Sequence, residues 1–166
     1  MTIWADGDSI PHDIRQLLVR RAANSGASSG PASASGSTQG ALALVFVSTV
    51  NLSDIPPGIL QRVKPGPDAA DKSIEGRAEP GDLVVTRDIL FAERLAARGV
   101  VVMNDRGDLF TNENITERRS LRDAAAELRL LGIAPPSPRG SHRTPKDTKR
   151  FADALDRTLS RMKNKP

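Results

Sequence analysis

Short apolar segments alternate with segments of helical periodicity along most of this chain, and this alternation is what most constrains its fold. The apolar runs at residues 2–5, 41–50, 82–86 and 100–103 each have the length of a strand. The segments that follow them repeat apolar residues every three to four positions, which predicts helices. Because strands that alternate with helices build a mostly parallel sheet, we predict a single α/β domain with helices flanking the sheet.

Two segments do not fit this alternation. Residues 25–40 contain only Ser, Gly, Ala, Pro, Thr and one Gln, so we predict a flexible insertion between the first helix and the second strand. We place the α/β domain in residues 1–138 and a basic linker with a last helix in residues 139–166. The latter segment carries a net charge of +6 and the rest of the chain −2. Such a segment would either attract polyanions or form a solvated helical tail.

Composition excludes several classes of site. The chain has no cysteine and two histidines, which excludes disulfides, iron–sulfur clusters, thiolate zinc sites and cysteine nucleophiles. Any metal must be held mainly by oxygen, so Mg²⁺, Mn²⁺ or Ca²⁺ is expected before zinc. An aromatic content of 3% is too low for a base-stacking platform with several rings. With no apolar run long enough to span a membrane and no signal-peptide pattern, we expect a soluble cytoplasmic protein.

Carboxylates follow three of the predicted strands. Asp6 and Asp8 follow the first strand, Asp88 and Asp105 follow later ones, and Asp71 lies at a helix start. Because parallel strands place their carboxyl ends at one edge of the sheet, these side chains are expected to converge there. A cluster of like charges is costly unless a cation occupies it, and a held Mg²⁺ or Mn²⁺ suits hydrolysis of a phosphodiester. Each aspartate taken alone could instead cap a helix or a turn.

Four segments, in this order and spacing, resemble the characteristic segments of the bacterial YaiI/YqxD family of uncharacterised proteins. They are IWADGDSIP, PDAADKSIEG, GDLVVTRDILFAERLAARG and NDRGDLFTNENITERRSLRD. That family in turn resembles the PIN-like nuclease superfamily. The resemblance implies a Rossmann-like parallel sheet between helices and an acidic cluster that binds Mg²⁺ or Mn²⁺ and acts on RNA. The Thr-x-Asp ending of DLVVTRD is itself a PIN-like trait.

The resemblance also implies roles for particular side chains. Asp6, Asp71 and Asp88 would be the catalytic, metal-binding carboxylates. Asp8 would be a fourth ligand or a group behind the ligands, and the Thr86 hydroxyl would orient the loop that carries Asp88.

The sequence departs from the family pattern at several positions. Ile10 replaces the usual Cys, and Lys72 stands where the family tends to have Asn, so its cation could contact phosphate. Asp105 stands where the family usually has Pro, which makes it a weak candidate ligand. Arg106 at the same strand end could bind phosphate or form a surface ion pair. His12 could act as a base but is more simply an exposed helix-start residue.

The leading hypothesis is therefore a metal-dependent nuclease that hydrolyses RNA or another phosphodiester. One alternative is a phosphohydrolase in which Asp6 attacks phosphorus and Asp8 protonates the leaving group. A second is a non-catalytic module that binds nucleic acid or another partner, since many α/β folds host unrelated functions.

Overall fold

The computed structural model describes residues 1–24, 42–133 and 143–164. The strands of the described part are β1 (Thr2–Asp6), β2 (Ala43–Ser48), β3 (Leu60–Arg62), β4 (Leu83–Val85), β5 (Val101–Met103) and β6 (Leu109–Phe110). Its helices are α1 (His12–Asn24), α2 (Ala69–Glu75), α3 (Ile89–Ala97), α4 (Asn112–Leu130) and α5 (Pro145–Lys163). A short 3₁₀ turn, Pro57–Ile59, precedes β3. The insertion predicted at residues 25–40 lies outside the described residues.

The strands form one sheet in the order β3-β2-β1-β4-β5-β6. The first five strands run parallel, and β6 pairs with β5 in the antiparallel direction. This confirms the predicted α/β fold with a mostly parallel sheet. The chain builds outward from β1 to β3 on one side and then crosses to β4 on the other side. The strand order therefore reverses between β1 and β4.

Helices cover both faces of the sheet because the buried strands are apolar on both sides. Ile3 and Ala5 of β1 pack into one core cluster with residues of α1 and α5. Trp4, between them, packs into a second cluster with residues of α2, α3 and α4. The result is three layers, with the carboxyl edge of the sheet left open between the helices.

The last helix is an integral part of one core layer. Phe151, Leu155 and Leu159 of α5 are buried against that face of the sheet and against α1. The described part of the basic segment thus contributes a buried apolar face rather than lying in solvent as a tail. The predicted boundary after residue 138 falls outside the described residues and stays a prediction.

The antiparallel strand β6 is the element that the sequence pattern does not reveal. It is only two residues long, so its alternation is too short to recognise. It follows a tight turn in which Gly107 adopts φ +84°, a conformation that glycine accepts readily. α4 begins at Asn112, directly after β6, because Thr111 and Asn114 form a capping box at its start. None of the described helices combines the length and apolar character needed to cross a membrane.

Candidate functional site

A cavity of about 280 Å³ opens at the carboxyl edge of the sheet, where the strand order reverses between β1 and β4. This crevice is the usual ligand site of open α/β sheets. Five aspartates contribute to its lining, and the polar side chains of Ser9 and Thr49 join them. The aspartates are Asp6, Asp8, Asp68, Asp71 and Asp88. The four aspartates predicted as metal-binding residues therefore surround one cavity, although they come from three separate parts of the chain.

Asp6 is the most deeply buried of these carboxylates. It is only 2% exposed, at the end of the central strand β1. Its Oδ2 accepts a hydrogen bond of 2.8 Å from the Thr86 hydroxyl, but its buried Oδ1 has no hydrogen-bond partner. The nearby Ser9 hydroxyl instead lies 3.4 Å from the Thr86 hydroxyl and accepts a bond from the Arg87 amide. Burial raises the pKa of Asp6, which the neighbouring hydroxyls offset only in part.

Thr86 joins the ends of the two strands that flank the cavity. Its buried hydroxyl donates to Asp6 and accepts a 3.1 Å bond from the Asp88 amide. It therefore fixes both the Asp6 side chain and the start of the loop that carries Asp88. This geometry is what the proposed orienting role requires.

Asp8 is held by the end of the neighbouring strand. Its carboxylate accepts bonds from the Ser48 hydroxyl and from both the amide and the hydroxyl of Thr49. Burial opposes ionisation, but these hydrogen bonds outweigh it and hold the pKa of Asp8 below its usual value. Asp8 is thus an ionised carboxylate that ties the loop after β1 to β2.

Asp71 lies between like charges on one side and the Arg94 guanidinium on the other. It lies in the first turn of α2, and its side chain is 14% exposed. Burial and the charges of Asp6 and Asp88 raise its pKa to about 6. Arg94 opposes this shift from 3.9 Å. Asp71 therefore lies close enough to Asp6 and to Asp88 for both charges to act on it.

Asp88 caps the helix that follows β4. Its Oδ1 accepts bonds of 2.8 Å from the Leu90 amide and 3.1 Å from the Phe91 amide. The capping alternative is therefore correct for this oxygen, while the same side chain also lines the cavity. The two roles are compatible because a carboxylate has two oxygens.

The carboxylates line one cavity, but they do not form a complete coordination site in the described part of the chain. In the ranges that the structure describes, no three His, Asp or Glu side chains are placed to hold one metal ion together. The donor set nevertheless suits a hard cation, because it consists of carboxylate and hydroxyl oxygens. The unpartnered, buried Oδ1 of Asp6 is the specific observation that fits such an ion, since an unsatisfied buried carboxylate oxygen is costly.

Other predicted site residues lie elsewhere. Asp105 pairs with Arg143 at 2.8 Å and with Arg87 at 3.8 Å, and it does not line the cavity. His12 is exposed and contacts Asp54 at 2.9 Å, which agrees with the helix-start alternative.

The two predicted phosphate contacts are also outside the cavity lining. The Lys72 ammonium donates to the Pro67 carbonyl at 3.1 Å, so it stabilises the turn before α2. Arg106 lies near the start of α5. There the pKa of Asp147 is lowered first by the Thr144 amide and hydroxyl, and further by the charges of Arg143 and Arg106.

Asp68 is the one aspartate of the cavity lining that the sequence pattern did not predict, and the Ser9 and Thr49 side chains were not predicted there either. It has a left-handed backbone with φ 52° and precedes α2 without a side-chain capping bond. Its side chain is therefore available to line the cavity. The signal was present in the sequence, because Asp68 starts the same helix that drew attention to Asp71.

Comparisons with known proteins agree with the motif pattern. A sequence profile described as "Uncharacterized BCR, YaiI/YqxD family" matches residues 32–161. The chain belongs to the YaiI/YqxD family. A UPF0178 protein of Treponema pallidum is 38% identical over 164 residues, which cover 98% of this chain and 83% of the relative. UPF0178 proteins of Syntrophobacter fumaroxidans and Myxococcus xanthus are each 36% identical and are covered to 95% and 96% of their length.

The names of these relatives state a protein family and no activity. Their match spans 97% of this chain for the Syntrophobacter protein and 98% for the Myxococcus protein. No solved structure is significantly similar to the chain.

Proposed function

We propose that this member of the YaiI/YqxD family is a metal-dependent nuclease that hydrolyses RNA or another phosphodiester. The observation that carries the proposal is the Asp6 carboxylate, buried at the switch point of the sheet with one oxygen unpartnered and facing like charges. The oxygen-only lining suits Mg²⁺ or Mn²⁺. A bound divalent cation would activate water and neutralise charge on the scissile phosphate.

The residues of the chain would divide the work as follows. Asp6, Asp71 and Asp88 would hold the cation, with Asp8 behind them. Thr86 fixes the Asp6 side chain relative to the loop that carries Asp88, because it forms one hydrogen bond with each. The positive charge of the cation would then offset the negative charges of these carboxylates, which are unfavourable for Asp71 in the free protein.

The acidic cavity alone would repel a nucleic acid, so cations outside its lining would have to bind the phosphate backbone. Arg87, beside Asp88, has a side chain that is 57% exposed. Lys146, Arg150 and Arg157 are exposed on α5, at a spacing that places them on one face of the helix. We propose that these groups hold the polyanion by phosphate contacts, so its binding should weaken as salt rises.

The environment of Asp8 argues against the aspartyl-nucleophile alternative. A proton donor must be protonated before it acts, whereas hydrogen bonds from Ser48 and Thr49 hold the pKa of Asp8 low. The metal-dependent proposal needs no proton on Asp8.

The test is cleavage of end-labelled RNA and single-stranded DNA by the full chain, with Mg²⁺, Mn²⁺ or a chelator. We expect metal-dependent cleavage that Asp71→Asn and Asp88→Asn abolish. The Asp88→Asn change keeps a capping oxygen, so a loss of activity would not come from a lost cap. The matched control is Asp123→Asn, because Asp123 is 67% exposed on α4, outside the cavity. If wild type and the two cavity variants behave alike on every substrate, the proposal is wrong.

A further inference from the structure

The second half of α4 has no support from the rest of the described protein. At its start, Ile115 is buried, and Arg118 lies over the Phe110 ring and binds Asp108. From residue 120 to residue 133, every side chain is exposed except that of Ala125, which is half-buried. A helix without packing partners is marginally stable in water, because most helix stability in proteins comes from a packed face.

This unsupported half carries an apolar stripe. Leu121 is 65% exposed, Leu128 43% and Leu131 65%. With Ala124 and Ala125 they recur every three to four residues, which places them on one side of α4. We call these five residues the α4 stripe. Large exposed apolar residues grouped in this way mark an interaction surface.

We propose that the α4 stripe binds the α4 stripe of a second copy of this chain, with the two helices parallel. Leu121 and Leu128 are seven residues apart, with Ala125 between them at coiled-coil spacing. Each leucine would then meet its counterpart across a two-fold axis. Close approach of the helices would be allowed by the small alanine side chains.

The charges beside the stripe argue for a second copy and for this orientation. Glu117, on the same side of the line Leu121–Ala125–Leu128 as Ala124 and Leu131, lies across that line from Arg122, five residues further along the helix. That spacing brings Glu117 next to Arg122 of the partner subunit in a parallel pair, and the symmetry repeats the contact. Within the described ranges neither side chain has an ion-pair partner in its own chain. An antiparallel pair would instead bring the flanks of like charge together, with Arg122 facing Arg129 of the partner subunit.

The contact covers about three helical turns, so it falls in the size range of weak, reversible interfaces below about 1,200 Å². The dimer should therefore depend on protein concentration. Sedimentation velocity of the full chain, from micromolar to near-millimolar concentration, should show a monomer that shifts to a dimer. Leu128→Glu should weaken the dimer by roughly tenfold or more, since it buries an unpaired charge at the centre of the contact.

Leu130→Glu is the matched control, because Leu130 is 88% exposed and points away from the stripe on the same helix. It should dimerise like wild type. Since both leucines are exposed, neither change should unfold the protein, and circular dichroism checks this. A wild type that stays monomeric throughout, or equal effects of the two changes, would overturn the proposal.

The orientation has its own test, because the chain contains no cysteine. In a parallel dimer, Leu121→Cys and Leu128→Cys should each form a disulfide with its own copy under mild oxidation. Cross-linking only when the two variants are mixed would show an antiparallel pair and overturn the parallel arrangement. Glu117→Arg should weaken the dimer, and adding Arg122→Glu to it should restore it. A double variant as weak as the single one would contradict the proposed charge pairing.

Discussion

Removing the charge of Asp71 should stabilise the metal-free protein at alkaline pH. The pKa of this carboxyl is raised from 3.8 to about 6 by burial and by the charges of Asp6 and Asp88. Between those two values the folded protein binds more protons than the unfolded chain, so the free energy of unfolding falls as pH rises from about 4 to 6. The full free-energy cost of keeping Asp71 ionised in the folded protein is present at pH 8 and absent below pH 4. Two pKa units correspond to about 3 kcal/mol.

The expected gain from Asp71→Asn is smaller than this cost, because the substitution also removes the contact with Arg94. That ion pair is long, at 3.9 Å, and Arg94 is 44% exposed and also binds Glu75. Its contribution should stay below about 1 kcal/mol. The net gain at pH 8 is therefore about 2 kcal/mol, or roughly 4–8 °C in melting temperature for a chain of this size.

Urea denaturation in a chelator, at pH 8 and pH 4, measures this gain. Asp71→Asn should exceed wild type at pH 8 and match it at pH 4, whereas the exposed control Asp123→Asn should match wild type at both. A variant that is no more stable than wild type at pH 8 would refute the cost of ionising Asp71 beside Asp6 and Asp88. Added Mn²⁺ should then stabilise wild type more than Asp71→Asn, because the variant lacks one of the proposed ligands.

Three further changes test the scaffold around the site by urea denaturation. Phe151→Ala should cost about 3–5 kcal/mol, since this fully buried ring anchors α5; a solvated tail would show no loss. Thr86→Val should cost about 1–3 kcal/mol because the bond to Asp6 is lost, while Thr86→Ser should restore most of the stability. Gly107→Ala should destabilise, because its φ is +84° and the new Cβ would lie 2.7 Å from the Ala154 Cβ; unchanged stability would contradict this packing.

Local signals in the sequence were sufficient for the parallel part of the fold. Each buried strand is a continuous apolar run, and helices such as α3 begin at a residue that caps them, here Asp88. Which helix packs against which part of the sheet was not predictable from such local signals. The burial of α5 depends on residues such as Phe151 meeting the sheet from more than a hundred positions away, and periodicity alone does not show which surface a helix covers.

The difference between Asp88 and Asp105 shows why the site itself could be predicted only in part. Both follow a buried strand, and in the sequence Asp105 was the weaker candidate only because the family pattern usually has Pro at its position. β4 borders the switch point, so Asp88 faces the cavity with Asp6, whereas β5 lies one strand further out. There Asp105 meets Arg143 at 2.8 Å, and the pair fastens the start of α5 to the sheet. Whether a strand-end aspartate joins a site or a structural ion pair thus depends on strand order and on cations from distant segments. The residues next to the aspartate in the sequence reveal neither of these.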